Sequence, residues 1–274
     1  MANAAKIRPE KAGPEKQRPS KARLDLLLVE RGLAVSRERA RALILAGRVL
    51  VREQKIDKPG TGVREDSPIR LLGEDQPYVS RGGLKLAAAL DHWQIAVAGR
   101  ACLDVGASTG GFTDCLLQHG AAHVTAIDTG FGQIAMKLRN DPRVRPMERT
   151  NARLLEPGSL ESGSLETGGS REQKKTLLVM DVSFISATLV FPAVAAAAPS
   201  LAEAVILVKP QFEAGRQHVG KGGIVRDPAA HELAIARVAD CIRSQGWEVV
   251  ETISSPITGM EGNREFLLYA RRVR

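Results

Sequence analysis

Residues 101–114, ACLDVGASTGGFTD, constrain this chain more than any other stretch. A short apolar run carries an acid near its end, crosses a loop of small residues and enters a helical pattern. That is how a strand feeds a helix across the edge of a parallel sheet. The alternation continues. HVTAID (123–128), TLLVMDVS (176–183) and AEAVILVKP (202–210) read as further buried strands, and GGLKLAAALDHW and GFTDCLLQHG as helices. A long helix is expected over 227–246, with Asp227 as N-cap and Pro228 at its first position, followed by strands at WEVVETI and REFLLYARR. The predicted class is α/β: a Rossmann-like, doubly wound sheet preceded by a small α+β domain.

In the small domain, RLDLLLVERG (23–32) is helical in pattern, and Ser36 can cap a second helix, RERARALILAG, that ends at Gly47 as its C′ residue. RVLV (48–51) and SPIRLL (67–72) read as strands on either side of a Pro/Gly-rich loop around KPGTG. Arg37 and Arg41 share one helical face, while Ala40, Leu43 and Ile44 form the apolar stripe. Two short helices, a glycine, a strand and basic residues at Arg23, Arg31, Arg37, Arg41 and Arg48 resemble the α-L RNA-binding domain first known from a ribosomal small-subunit protein. The resemblance implies that these five arginines face RNA. The expected organisation is a disordered basic tail over 1–22, the α-L domain over 23–80 and the α/β domain over 81–274. A flexible Gly/Ser-rich insertion is expected at about 156–175.

Charge agrees with that division. Of the net +8, residues 1–82 hold +7: six Lys/Arg against two acids in 1–22 and twelve against nine in 23–82. An excess confined to one end suggests a polyanion-binding surface there. The three cysteines form no CxxC pair and have no histidine at zinc-ligand spacing, so neither a disulfide scaffold nor a zinc site is expected. No apolar leader is visible in the first 22 residues. Both points lead to the expectation of a reducing, cytoplasmic location, and no metal site is predicted.

The chemistry should lie at strand ends. Asp104 and the loop from Gly106 to Gly111 follow the first strand of the α/β domain, and Asp128 ends the next one. Exposed backbone N–H groups in such a loop suit a polar ligand. The spacing is not the dinucleotide GxGxxG; it resembles the S-adenosylmethionine site of Rossmann-like methyltransferases, where the first acid and loop hold the methionine end and the second acid takes the ribose. Lys85, Asp181, Lys209 and Glu265 stand in the order and element positions of ribose 2′-O-methyltransferases of the FtsJ type. At this point the match extends over most of the chain. YVSRGGLKL, LDVGASTGGFTD, VMDVSFIS, LVKPQFEAGR, VGKGGIVRD and SPITGMEGNREFLL occur in the order of the TlyA family, also called hemolysin A. The resemblance implies methylation of cytidine 2′-hydroxyls in ribosomal RNA. It places Lys85, Asp181, Lys209 and Glu265 in catalysis, and S-adenosyl-L-methionine against Asp104, Gly106, Ala107, Ser108, Gly110, Asp128 and Asn151. A ribose hydroxyl is a poor nucleophile and needs a base within hydrogen-bond reach. Lys209 is the candidate, since burial beside a second cation, Lys85, favours the neutral amine.

Three rival readings remain. Gly215 to Lys221 match G-x-x-x-x-G-K, but Gly222 stands where a P-loop needs Ser or Thr for Mg²⁺; a mobile loop closing over RNA is expected instead. Residues 182–202 carry no charge over 21 positions, long enough to cross a bilayer, yet Pro192 and Pro199 and the Ala-rich second half suit a stripe packed on a sheet. The chain would then not be membrane-active. An RNA-binding regulator with an inactive enzyme fold would need to lack one of the four catalytic positions, and all four are present.

Overall fold

The computed structural model describes residues 20–34, 36–72, 77–161, 175–259 and 261–273. Contacts divide the chain into two compact units, residues 1–75 and 76–274.

The small unit runs β1 (Lys21–Arg23), α1 (Leu24–Glu30), α2 (Arg37–Leu45), β2 (Val49–Val51), β3 (Gln54–Ile56), β4 (Gly62–Arg64) and β5 (Ile69–Leu71). Its core is built from Leu24, Leu28, Ala40, Leu43, Ile44 and Val49. Ser36 caps α2 by accepting from the Arg39 N–H at 3.2 Å. At the other end Gly47, at φ 63°, donates to Ile44 O while Arg48 N donates to Leu43 O, the paired bonds of a Schellman turn. β2 pairs with β3 and β5, and β1 with β4, all antiparallel. Lys21 and Ala22, assigned to the tail from sequence, thus belong to a strand; residues 1–19 lie outside the described residues.

The large unit runs α3 (Gly82–His92), β6 (Ala101–Val105), α4 (Gly111–Gln118), β7 (His123–Ile127), α5 (Met136–Arg139), β8 (Val144–Met147), β9 (Lys175–Met180), α6 (Ala187–Ala197), β10 (Glu203–Val208), α7 (Pro210–Glu213), α8 (Pro228–Ser244), β11 (Trp247–Ser254) and β12 (Phe266–Arg272). Its sheet has the order β11-β12-β10-β9-β6-β7-β8. The strands from β10 across to β8 are parallel, and β12 is antiparallel to both neighbours. Asp227 caps α8 by accepting from Ala229 N, with Pro228 at the first position as expected.

From β6 the chain builds outward through β7 and β8, then returns to the opposite side with β9 and β10. The order reverses at β6 and β9, and a crevice at such a reversal lies at the carboxyl ends of the strands. Period-two alternation sorts the side chains. Cys102, Leu177, Val179, Val205, Leu207, Leu267 and Tyr269 pack with Leu86 of α3 and Leu116 of α4 on one face. Leu103, Leu178, Ile206 and Leu268 pack with α6 and α8 on the other. The uncharged run at 182–202 therefore supplies α6, whose Val190, Phe191 and Val194 are buried against the sheet. The insertion begins as a described turn that buries Leu160; residues 162–174 lie outside the described residues.

Candidate active site

Asp104, on β6, points to the α3/α4 face and is fully buried. One oxygen, Oδ2, accepts from the Thr113 hydroxyl of α4 at 2.6 Å; the other, Oδ1, has no partner. Burial pushes this carboxyl up to about 7. Beyond it, Gly106 turns at φ 87°, and a Cβ there would lie 2.4 Å from the carbonyl oxygen of Asp181. The loop therefore requires glycine where β6 and β9 approach each other.

Four of the loop's N–H groups, expected from sequence to be exposed, are already engaged. Gly106 and Ala107 both donate to Ile127 O at 2.9 and 3.1 Å, Gly110 donates to Ala107 O, and Ser108 N donates to Asp128 Oδ2 at 2.7 Å. Neighbouring strand ends satisfy these donors, so the loop offers shape and leaves the polar contacts to side chains. Asp128 Oδ1 accepts from Gly130 N at 2.7 Å, which fixes the carboxylate at the rim of a cavity of about 420 Å³. Gly106, Ser108, Asp128, Asn151 and the run from Asp181 to Ile185 line it. Asn151 caps a short turn through Arg153 N at 3.1 Å. Gly110 and Ala107 are buried supports, and a Cβ on Gly110 would strike Leu138.

The four residues predicted as catalytic meet at the same sheet edge. Val208 pairs with Phe266, so one step further the antiparallel register sets Lys209 opposite Glu265. Asp181 follows the last residue of β9, and its N–H donates to Val105 O of β6. Counted by two from Leu207, Leu267 and Val179, all three project toward the face covered by α3, which supplies Lys85. The approach of α3 to α4 depends on Gly111, whose Cβ would lie 3.0 Å from the backbone nitrogen of Gly83.

Lys209 is 8% exposed, too buried for a snorkelling side chain, and its Nζ lies 2.6 Å from both Asp181 Oδ1 and Ser183 Oγ. Lys85, also 8% exposed, is ion-paired with Glu265. Each lysine thus pairs with an acid, where the sequence suggested that one lysine would press on the other. Ser183, Phe184 and Thr113 were not singled out from sequence. Phe184 stands 91% exposed at φ 64° on the cavity wall. A non-glycine residue at such φ is uncommon and marks a constrained loop.

Other motifs resolve differently. The G-x-x-x-x-G-K run follows α7 and forms two short 3₁₀ turns, so it lacks the strand-loop-helix setting of a P-loop. No cluster of three metal-ligating side chains occurs among the described residues, and His119 bonds Cys115 O at 2.8 Å. No helix among the described residues is long and apolar enough to cross a membrane.

In the small unit, four of the five predicted arginines form internal bonds. Arg23 and Arg37 both donate to Asp25, a carboxylate with a fully buried side chain, each with contacts of 3.0 Å. The two guanidinium groups hold Asp25 well below the usual carboxylate range. Arg31 donates to Ser67 O and Arg48 to Leu72 O. Arg41 is exposed and makes no ion pair among the described residues. Asp25 escaped the sequence reading, although an acid inside LDLLL is the signal that could have found it.

Known proteins resemble the chain over most of its length. Residues 78–272 match the FtsJ-like methyltransferase family and residues 22–69 the S4 domain. The chain is 46% identical over 252 residues to the 16S/23S rRNA (cytidine-2′-O)-methyltransferase TlyA of Mycobacterium tuberculosis, covering 92% of this chain and 90% of that one. It is 39% identical to Hemolysin A of Brachyspira hyodysenteriae, over 90% and 98% of the two chains. A solved Streptococcus thermophilus structure, labelled a candidate hemolysin, superposes with a TM-score of 0.67 at 40% identity, covering 93% of this chain and 89% of that one.

Proposed function

Because this chain belongs to the FtsJ-like methyltransferases, carries an S4 domain and is 46% identical to TlyA, we propose that it methylates the ribose 2′-hydroxyl of cytidine in ribosomal RNA. The observation that carries this reading is the double ion pair, Lys209 with Asp181 and Lys85 with Glu265, at the sheet edge beside the cavity. S-adenosylmethionine fits the donor set. Asp104, buried behind the residues that line the cavity, keeps an unpartnered oxygen that suits a cationic group, and Asp128 holds a fixed carboxylate at the rim for a diol. Asn151 lines the same cavity. The cofactor, when bound, supplies an activated methyl group.

The chain's own residues handle the hydroxyl. In its neutral amine form Lys209 Nζ would accept the proton of the ribose 2′-hydroxyl as that oxygen takes the methyl group, while Asp181 and Ser183 hold the nitrogen in place and Asp181 offsets the ammonium that results. Glu265 fixes Lys85 from the opposite strand. The small unit supplies RNA affinity through its cationic surface, and the three free cysteines suit the reducing cytoplasm where ribosomes are found.

The test is incubation of the purified chain with labelled S-adenosylmethionine and separated ribosomal subunits, followed by mapping of methylated riboses. Lys209→Ala is expected to abolish transfer while changing cofactor affinity by less than about twofold. Wild-type turnover in that variant would remove Lys209 from the role.

A further inference from the structure

The run from Gly215 to Asp227 has no part in the chemistry above, yet it is built with more precision than a connecting loop needs. Gly220 N donates to Ile224 O at 3.0 Å and Gly223 N to Gly220 O at 3.1 Å, which closes a tight turn. Asn263, 1% exposed, grips that turn from a separate segment. Its Oδ1 accepts from Val225 N and its Nδ2 donates to Gly223 O, both at 2.9 Å. The buried His231 donates from Nε2 to Val225 O at 2.9 Å. Where the sequence suggested a mobile loop, the structure has a turn tied down by side chains from two separate segments. Asn263 is also two residues from Glu265, so one staple joins the turn to the segment that completes the catalytic edge.

The turn presents an unusual surface. Lys221 is its exposed side chain, flanked by Gly220, Gly222 and Gly223. Gly222 and Gly223 have φ of 77° and 74°, and a Cβ on Gly223 would come within 2.9 Å of Glu261. A lysine set among glycines lets an extended polyanion lie against the backbone without displacing side chains. Arg226 reaches across toward Gly220, and neither cation makes an ion pair among the described residues. Residues 215–227 and 259–264 together hold Arg216, Lys221, Arg226 and Arg264 against Glu261 and Asp227.

We propose that this turn is a preformed contact for the RNA phosphate backbone, carried by the methyltransferase unit itself, with Lys221 as the contacting cation and Asn263 as its staple. The inference rests on the reading of the chain as an RNA methyltransferase. Fixing the turn during folding spares the ordering cost that a flexible loop would meet on binding. It also ties a phosphate contact to Glu265, so that RNA seated on the turn is held in register with the catalytic edge.

The experiment uses the full chain and ribosomal subunits, with binding and methyl transfer measured separately. Lys221→Ala is expected to raise KM for subunits about three- to tenfold, with kcat and cofactor affinity within twofold of wild type. The slope of log affinity against log salt should fall by about one. Lys221→Glu should lose more, and Lys221→Arg should recover most of the loss. In an Asn263→Ala background, Lys221→Ala should cost less than it does alone, because the staple no longer presents the cation. Wild-type affinity and salt slope in Lys221→Glu would overturn the proposal. A wild-type chain that binds subunits but methylates nothing would instead sink the enzymatic reading, and the binding arm would still decide the role of Lys221.

Discussion

Two buried carboxylates, one in each unit, behave in opposite ways. Asp25 of the small unit and Asp104 of the large unit are both fully buried. Asp25 meets two guanidinium groups and stays ionised; Asp104 meets one hydroxyl and is pushed up to about 7. Burial alone therefore does not set the charge, since the cations within reach do. Asp25 is a latch already closed by its own chain. Asp104 keeps one oxygen without a partner, and on the proposed reading that oxygen would take the cofactor's ammonium group.

The contrast can be broken most directly at Asp104. Asp104→Asn should weaken S-adenosylmethionine binding about 10- to 100-fold by calorimetry, the loss of a charge-assisted bond to a buried group. Equal affinity in the variant would make Asp104 a structural acid like Asp25.

Next in size is the response of stability to pH, where the two acids carry opposite signs. Asp104 keeps its proton when folded and loses it near 4 when unfolded, so the cofactor-free chain should lose stability as pH rises from about 4 toward 7. Asp104→Asn should flatten that slope in thermal melts. Asp25 has the depressed value: its contribution is complete above about 4 and is lost as pH falls through its folded value. Protection factors of α1 amides, referred to the intrinsic exchange rate at each pH, should therefore fall in acid, and Asp25→Asn should lower them at neutral pH by about tenfold, a modest figure because Arg23 and Arg37 are half exposed.

The smallest effect separates the arginines. Arg41→Ala should weaken RNA binding a few-fold, lower the salt slope by about one and leave the melting temperature unchanged. Arg37→Ala should lower RNA affinity and small-unit stability together, because it also opens the latch. Equal melting temperatures for the two variants would show that the Asp25 contacts add nothing to stability.

Features set by local rules were legible in the sequence: the Ser36 cap, the Gly47 stop, Asp227 with Pro228, and a strand running into glycines at 101–111. That Lys85, Asp181, Lys209 and Glu265 come together at one sheet edge was also legible, because each sits at or near the end of an element that its own pattern defines. What escaped depends on partners distant in the chain. β3 was missed because Arg52 and Glu53 both take positive φ in a two-residue hairpin turn that usually carries Asn or Gly. β8 contains Pro146, which demotes a strand unless it lies at an edge, as this one does. The capture of the loop N–H groups by Ile127 O and the grip of Asn263 on Val225 join segments 20 or more residues apart, and no local pattern announces them.

The position of β12 has a consequence in time. It lies between β10 and β11, although β11 is made first, so β11 has no neighbour in the sheet until β12 slots in beside it. Glu265 arrives with that insertion, more than fifty residues after Lys209. At about 5–20 residues per second of synthesis, the growing chain passes several seconds with Lys85, Asp181 and Lys209 already made and the acid for Lys85 still missing. The chain therefore completes its small unit early and the Lys85–Glu265 pair late, only when the last strand enters the sheet.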